Sequence, residues 1–304
     1  MLVVFGSINV DLVFPVPTLP RPGETVLGAT YRVVAGGKGA NQAVAAARDG
    51  RRVMMFGCVG RDGFGEIALA SLGDAGADVS GVATLDEPTG CAAICLDVAG
   101  ENQIAVASGA NRLARAAQVP DAVLGPATTV LLQMEVPAEE NALLIERARE
   151  KGGRIVLNLA PAGALAVPAL RAIDTLVVNE GEGAWLAQAI GASASSAPSV
   201  ARALANRLGV TSLVTRGAAG VEVAEASGKN WSLPALPITP VDTTAAGDAF
   251  VGVLAGALDA GADLADAVRR ASVAAGLACL AVGAQPSLPT RATIDRRLAD
   301  LPSR

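Results

Sequence analysis

The sequence contains no histidine in its 304 residues. Catalytic triads and metal sites that depend on an imidazole are therefore excluded. Cysteines are also scarce: Cys58, Cys91, Cys95 and Cys279 are too few for a disulfide scaffold in a chain of this length. We expect four reduced thiols, which is typical of a protein that works in the cytoplasm.

Aromatic residues make up only 3% of the chain, whereas hydrophobic residues make up 51%. The core must therefore consist mainly of Ala, Val and Leu, whose small side chains let helices pack closely on a sheet. The net charge of −5 argues against nucleic acid or an anionic membrane as a partner. We find no clean apolar span of about 20 residues, and residues 1–10 lack the basic start of a signal peptide. We expect no membrane segment.

Short runs rich in Val and Leu alternate with helical patterns over most of the chain. The predicted strands are residues 2–6, 52–57, 129–133, 154–159, 175–178 and 212–215. The predicted helices are residues 40–48, 65–75, 138–151, 181–190 and 199–208, followed by 251–259, 264–282 and 294–301. This alternation predicts an α/β fold in which helices cover a mostly parallel sheet, formed by residues 1–304 as one domain.

Two segments interrupt this alternation. Residues 12–35 begin with several prolines and glycines and then have strand propensity over residues 25–34. Residues 90–107 predict a hairpin of strands 91–98 and 102–107 around the turn Ala99-Gly100-Glu101. These extra strands predict a small second sheet, which would form a lid over the carboxyl ends of the main strands.

Residues 242–250, with the sequence Asp-Thr-Thr-Ala-Ala-Gly-Asp-Ala-Phe, lead directly into a helical pattern. Small residues at a helix start leave backbone N–H groups open to a ligand, and the helix dipole there favours an anion. Asp248 would lie beside a bound phosphate and accept the proton of an alcohol, which indicates phosphoryl transfer. The same residues are also ordinary at a helix start, so this motif alone leaves both interpretations open.

A second motif, Gly36-Gly37-Lys38-Gly39-Ala40-Asn41-Gln42, is rich in glycine and opens a helix. It is not a P-loop, because Gly39 rather than Ser or Thr follows Lys38. It also lacks the third glycine of a dinucleotide fingerprint, which disfavours a nicotinamide-dependent oxidoreductase. Its glycines allow close approach of the backbone to a ligand, although a plain turn into a helix would also need them.

Polar residues follow four of the predicted strands. Asn9 and Asp11 come after the first strand, Glu135 after the strand at 129–133, and Asn179 after the strand at 175–178. Ligands of open α/β sheets bind at the carboxyl ends of the strands. Because Asn9 and Asp11 would point to the same side of an extended chain, they suit adjacent sugar hydroxyls, although both residue types also occur in ligand-free turns.

These motifs resemble those of the PfkB (ribokinase-like) family of carbohydrate kinases. The resemblance runs from Gly6-Ser7-Ile8-Asn9 to Gly283-Ala284-Gln285-Pro286-Ser287 and includes both signatures, at residues 36–43 and 242–250. It implies a three-layer α/β/α sandwich with a central, mostly parallel sheet and a small β-sheet lid. The implied activity is ATP-dependent phosphorylation of a sugar, with D-ribose 5-phosphate as the expected product, Mg²⁺ as cofactor and K⁺ as activator.

The resemblance also implies roles for individual residues. Positions that match the sugar site are Asn9, Asp11, Gly37, Lys38, Asn41 and Glu135. Asp248 matches the catalytic base, and the backbone amides of Ala245, Ala246 and Gly247 match the anion hole. Positions that match nucleotide-binding segments are Asn179, Thr215, Arg216, Gly217, Ala218, Ala219, Gly220, Gly247 and Ser272. The monovalent-cation loop matches Asp242, Thr244, Ala278, Ala281, Gly283 and Ser287.

The chain departs from the family pattern at two positions. Ser272, at the position that contacts adenine, replaces a side chain that is often larger, so adenine packing would be looser. Ala245 stands where Gly is commoner, and it must tolerate the dihedral angles of that position.

Other readings remain open at this point. A deoxyribose, fructose or nucleoside kinase of the same family is the nearest alternative, although Phe14 and Tyr31 are the only aromatic residues in the predicted lid. A non-catalytic regulator that responds to a sugar or nucleotide is the alternative from another class. The strand at 91–96 is apolar on both faces, so we expect a homodimer that joins two lids.

Overall fold

The computed structural model describes residues 1–192 and 199–301. This part of the chain forms thirteen strands and nine α-helices. The strands are β1 (Leu2–Phe5), β2 (Asn9–Pro15), β3 (Arg32–Gly36), β4 (Val53–Gly60), β5 (Asp78–Leu85), β6 (Gly90–Leu96), β7 (Asn102–Ala107), β8 (Thr129–Leu132), β9 (Arg154–Asn158), β10 (Thr175–Asn179), β11 (Thr211–Thr215), β12 (Val221–Ala224) and β13 (Asn230–Leu233). The helices are α1 (Lys38–Arg48), α2 (Gly63–Asp74), α3 (Ala138–Glu150), α4 (Val167–Ala172), α5 (Glu180–Ala189), α6 (Val200–Leu208), α7 (Ala246–Asp259), α8 (Leu264–Ala278) and α9 (Arg291–Arg297).

Nine of these strands form the central sheet, in the order β13-β12-β11-β10-β9-β8-β1-β4-β5. All neighbours pair in parallel except β11 with β12 and β12 with β13. Side chains alternate between the faces, so Leu2 and Val4 pack beneath one helical layer and Val3 and Phe5 beneath the other. Helices α1, α2, α7, α8 and α9 cover the first face, and α3–α6 cover the second. The predicted three-layer fold is confirmed.

Helix α7 is the most deeply buried helix next to the site. All residues from 248 to 258 are buried, because α7 is enclosed by the sheet, α1 and α8. A Cβ on Gly252 would lie 2.3 Å from the carbonyl O of Gln42 in α1. Glycine at this crossing therefore lets the two helices that carry the signature motifs approach closely.

All six predicted main strands are present, with ends shifted by up to three residues, but three further strands of the central sheet were not predicted. β5 is only partly buried, and β12 and β13 have four residues each, with the half-buried Glu222 in β12 and the exposed Asn230 and Ser232 in β13. Strands at or next to the edge of a sheet, as these are, lack the continuous apolar run of a central parallel strand. The predicted helix at 264–282 ends earlier, at Ala278, because the chain turns there and the Cys279 carbonyl accepts the Val241 N–H.

The lid is a four-stranded sheet in the order β3-β2-β6-β7. The predicted hairpin is confirmed, although its first strand ends at Leu96 rather than at residue 98. The strand prediction for residues 25–34 is wrong over most of its length. The structure begins β2 at Asn9, directly after β1, and β3 only at Arg32, because pairing with β2 ends at residues 13 and 32.

Two further expectations concern the whole chain. All four cysteines are free thiols, two of them buried in the main body. Among the described residues, no helix has both the length and the apolar character that a membrane crossing requires.

Candidate active site

Five of the predicted site residues lie at the ends of the central parallel strands or at the starts of the helices that adjoin them. Asn9 opens β2 just past β1, Glu135 follows β8, and Asn179 ends β10. Lys38 is the first residue of α1, and Asp248 lies in the first turn of α7. The fold therefore brings both signature motifs to the same sheet edge, as expected of an open α/β sheet.

The glycine motif makes direct backbone contact with the segment that follows β1. Gly37 has φ of 86° and ψ of 134°, and a Cβ there would lie 2.8 Å from the backbone N of Asn9. A Cβ on Gly39 would lie 2.7 Å from the backbone N of Ser7. Any larger residue would separate the two segments, so glycine is required for this contact.

Glu135 is held at the junction of these segments by two hydrogen bonds. The Ser7 hydroxyl donates to Oε2 of Glu135 at 2.5 Å, and the Lys38 N–H donates to the same oxygen at 3.0 Å. The Ser7 Oγ also accepts the Gly39 N–H at 3.2 Å. One carboxylate oxygen is thus engaged by the protein, and the other remains available to a sugar hydroxyl.

Asp248 is buried, and amide side chains hold both of its carboxylate oxygens. Asn41 Nδ2 donates to Oδ2 at 2.9 Å, and Gln42 Nε2 donates to Oδ1 at 2.9 Å. Burial raises the pKa of Asp248, although the Lys38 ammonium and the two amide donors act in the opposite direction. A carboxylate with a raised pKa is a stronger proton acceptor, which suits a general base.

Lys38 provides a cation among several acids. Burial alone would lower the pKa of its ammonium, but Asp248, Glu135 and Glu182 outweigh this and raise the pKa. Lys38 is therefore charged at neutral pH. Burial also raises the pKa of Glu182, whose Oε2 accepts the Asn179 N–H at 2.8 Å at the start of α5.

Asp11 and Asn9 form the lid side of the site. Burial, with the nearby Glu135 and Asp248 carboxylates, raises the pKa of Asp11 to about 6. Asn9 Oδ1 accepts a hydrogen bond from Asn111 Nδ2 at 2.7 Å. This bond uses the Asn9 oxygen, and the Asn9 Nδ2 group is the donor that Asn9 can offer to a ligand.

The start of α7, where the anion hole was predicted, has an unusual backbone conformation. Ala245 has φ of 59° and ψ of 8°, and among the described residues it is the only non-glycine with a positive φ. This left-handed conformation costs a non-glycine residue about 1–2 kcal/mol. Gly247 is exposed, and an added Cβ would meet nothing within 4 Å. The Ala246 N–H donates to the Thr243 carbonyl at 3.3 Å, a long bond that closes the turn.

The predicted nucleotide segments lie on neighbouring strands. Asn179 and Thr215 are paired in register at the ends of β10 and β11. A short 3₁₀ turn, Gly217–Ala219, follows β11. Gly220 then adopts φ of 86°, and a Cβ there would collide with the Leu233 carbonyl O. Ser272 lies on α8 and is buried, so its small side chain does not project into solvent.

A comparison with known proteins decides the family. The model of the pfkB family of carbohydrate kinases matches residues 1–291. The chain belongs to this family. As a PfkB carbohydrate kinase, it is an enzyme that transfers a phosphoryl group to a carbohydrate, and the family predicted from the two motifs is confirmed.

Individual relatives cover nearly the whole chain. The ribokinase of Haemophilus influenzae is 37% identical over 293 residues, which are 95% of this chain and 95% of that protein. The structure of a Thermotoga maritima ribokinase superposes with a TM-score of 0.90 at 30% identity, over 98% of this chain and 99% of that one. The structure of Arabidopsis thaliana ribokinase complexed with ribose and ATP has a TM-score of 0.86 at 31% identity, over 98% of each chain.

In this PfkB kinase, Asp242 hydrogen-bonds to two of the other residues that were predicted to bind a monovalent cation. Its Oδ1 accepts the Thr244 N–H at 2.9 Å, and its Oδ2 accepts the Gly283 N–H at 2.8 Å. Burial opposes ionisation, but these hydrogen bonds prevail, and the pKa of Asp242 lies below its ordinary value. Ser287 is buried on the same loop and donates its hydroxyl to the Ala284 carbonyl at 2.8 Å. Ala278 ends α8 and Ala281 is exposed in the loop that follows.

The sequence analysis missed several residues that the fold brings into the site. They are Ser7, Gln42, Asn111 and Glu182. The Asn179-x-x-Glu182 spacing of a capping box was a usable signal for the last one. Nothing in the local sequence marks the other three as partners of Glu135, Asp248 and Asn9.

Proposed function

We propose that this kinase catalyses ATP-dependent phosphorylation of D-ribose to D-ribose 5-phosphate, with Asp248 as the general base. The observation that carries the proposal is the buried Asp248 carboxylate at the start of α7, held by two amides and facing the Lys38 ammonium. The near full-length similarity to ribokinases from several organisms supports ribose as the substrate. The reduced thiols support a cytoplasmic location.

The geometry gives each part of the site a task. Asn9, Asp11 and Glu135 bind sugar hydroxyls through the Asn9 Nδ2 donor and the carboxylate oxygens. Asp248 accepts the proton of the 5-hydroxyl as the hydroxyl oxygen attacks the γ-phosphorus of ATP; the bond from that phosphorus to the β–γ bridging oxygen breaks, and ADP leaves. The amides of residues 245–247 and the dipole of α7 stabilise the charge on the transferred phosphoryl group, once the Ala246 N–H has exchanged its long bond to the Thr243 carbonyl for one to the phosphoryl oxygen.

The oxygen donors of Asn179 and Glu182, at the start of α5, are of the kind that Mg²⁺ prefers. Among the described residues, no three acidic or cysteine side chains converge on a metal position. Mg²⁺ needs no such cluster, because it is usually bound by one or two carboxylates together with water and substrate phosphates. Glu182 uses Oε2 in its capping bond and keeps Oε1, so we assign it and Asn179 to this ion, which neutralises phosphate charge when bound.

A panel of sugars and nucleosides tests the substrate. We expect ribose to exceed 2-deoxyribose in kcat/KM by about 10²-fold or more, because a site that binds a hydroxyl loses its hydrogen bonds with the deoxy analogue. Asn9→Ala should reduce that ratio, whereas Asn230→Ala, at an exposed asparagine on β13, should leave it unchanged. The readout is product formation with ATP.

Other results from the panel have definite meanings. A higher kcat/KM with fructose or adenosine would show that the ribose assignment is wrong within the same family. The absence of turnover with every sugar and nucleoside would favour a non-catalytic regulator on this fold.

We also propose a homodimer that joins two lids. Strand pairing places Ala92 and Val106 on the same face as Asp11, and Ile94 and Ile104 on the same face as Val13. Ile104 is 54% exposed and Val106 57% exposed, so an apolar surface adjoins the sugar site without cover. A second lid packed on this surface would bury it and close the site from the outside.

Light scattering tests the dimer. At micromolar concentration we expect twice the mass of one chain, and we expect Ile104→Asp with Val106→Asp to give monomers, because the charges would be buried in the interface. Leu143→Asp is the matched control, since Leu143 is a half-exposed leucine on α3, far from the lid. A wild-type monomer, or a dimer that survives the paired substitutions, would contradict the proposal.

A further inference from the structure

A row of buried amide side chains lies behind Asp248. Gln42 Nε2 donates both to Asp248 Oδ1 and to Asn158 Oδ1, each at 2.9 Å. Gln133 Nε2 donates to Gln42 Oε1 at 2.7 Å, and Asn141 Nδ2 donates to the Gln133 carbonyl at 2.7 Å. All four amides are at most 7% exposed, so water does not compete for these bonds.

Hydrogen bonds to Asn158 and Gln133 fix the orientation of the Gln42 amide group. Asn158 Nδ2 donates to the Val177 carbonyl at 3.1 Å, so Asn158 must offer its oxygen to Gln42. Gln133 offers Gln42 an N–H, so Gln42 must present its oxygen on that side. Turning the Gln42 amide over would place like groups together at both contacts and at Asp248.

The backbone of Gln42 is fixed as well. Its carbonyl packs against Gly252, where a Cβ would lie at 2.3 Å, and Gly252 is one helical turn after Asp248 on α7. The crossing of α1 and α7 therefore sets the distance from the Gln42 backbone to the Asp248 backbone. Both the position and the orientation of the Gln42 donor are determined before any substrate binds.

We propose that Gln42 is a positioning residue for phosphoryl transfer, whose amide fixes the plane of the Asp248 carboxylate relative to the sugar hydroxyl. This rests on the proposed role of Asp248 as the base. A carboxamide neither gives nor takes a proton near neutral pH, so Gln42 acts through Asp248 and not on the substrate. Asn41 holds the other oxygen and also lies at the predicted sugar site, whereas Gln42 is the donor to the carboxylate that has no predicted contact with the sugar.

The pH dependence follows from the charges around Asp248. The groups that face it are Lys38 and the amides of Asn41 and Gln42 on α1, Asp11 on β2, Glu135 past β8 and Glu182 on α5. Burial raises the pKa of Asp248, and the Gln42 bond counteracts this. A base works when ionised, so activity falls as pH drops through its pKa. Loss of the Gln42 donor raises that pKa further, and the acid limb of kcat moves to higher pH.

The test variant is Gln42→Met, which keeps the size and removes the amide. We expect kcat to fall by about 10- to 100-fold with KM for ribose changed by less than about 3-fold, since misplacement of the base affects the chemical step. The acid limb of kcat should move up by about one pH unit. Gln133→Met removes one of the two side chains that orient Gln42, the other being Asn158, and should produce smaller changes in the same direction.

The matched control is Asn141→Leu. Asn141 is fully buried in the same amide row but does not touch Asp248, so its loss should lower the melting temperature and leave the acid limb in place. An unshifted acid limb in Gln42→Met, or an equal shift in Asn141→Leu, would overturn the proposal. If the wild-type protein phosphorylates no sugar, the proposed function is wrong, and the proposed role of Gln42 is wrong as well.

Thermal unfolding gives a readout that needs no turnover. If Gln42 binds Asp248, the drop in melting temperature caused by Gln42→Met should be smaller in the Asp248→Ala background than in the wild type. Equal drops in both backgrounds would show that the two residues are not coupled, and would overturn the proposal even if kcat had fallen.

Discussion

Asp248→Asn is expected to lower kcat for ribose phosphorylation by about 10²–10⁴-fold. The substitution keeps the shape of the side chain but removes its ability to accept the proton of the attacking hydroxyl. KM for ribose should change much less, because the new amide oxygen still accepts the hydrogen bond that Asn41 donates to Oδ2 at 2.9 Å; the new NH₂ group then faces the Gln42 Nε2 donor and loses only that bond. Steady-state kinetics with saturating ATP separate the two parameters.

Asp263→Asn is the matched control for this change. Asp263 also lies at the start of a long helix, α8, where its side chain caps the Asp266 N–H at 2.8 Å, but it lies outside the site. We expect its kcat to equal that of the wild type. A nearly normal kcat in Asp248→Asn would remove both the base and the mechanism proposed above.

The second large effect concerns the monovalent cation. We expect K⁺ to raise kcat over Na⁺ or tetramethylammonium at matched ionic strength, by up to about 10²-fold, the amount that preorganised oxyanion donors contribute elsewhere. Asp242 bonds the Thr244 and Gly283 N–H groups, so an ion at its carboxylate would order the turn that leads to Ala245. The predicted ligands of this ion are all oxygen atoms, which alkali cations prefer over nitrogen and sulfur.

Asp242→Ala should abolish the difference between the salts and leave the far-ultraviolet circular dichroism spectrum unchanged. Asp86→Ala, at a highly exposed carboxylate in another loop, is the control and should keep the full K⁺ response. If the wild type turns over equally fast in all three salts, protein contacts alone order the loop, and the cation assignment fails.

Local patterns in the sequence were sufficient to predict the central strands and the family. The Val- and Leu-rich runs that became β1, β8, β9 and β10 are buried on both faces, so their apolar content is continuous and easy to detect. Strands β5, β12 and β13, at or next to the edges of the sheet, contain polar residues among the apolar ones and have no such signal. Strand propensity also failed at residues 25–34, because propensity does not specify which partner strand is available.

The sequence by itself determined that this protein is a PfkB carbohydrate kinase, since the glycine-rich helix start at 36–42, the small-residue helix start at 242–250 and Asp248 are local features of the chain. The tertiary structure decided how the base is held. Gln42 and Asp248 are separated by 206 positions, and Ser7 and Glu135 by 128, so no local pattern records either contact. Such contacts depend on the packing of α7 against α1 and on the common edge of parallel strands. These are properties of the folded chain, because they arise only when the whole sheet has formed.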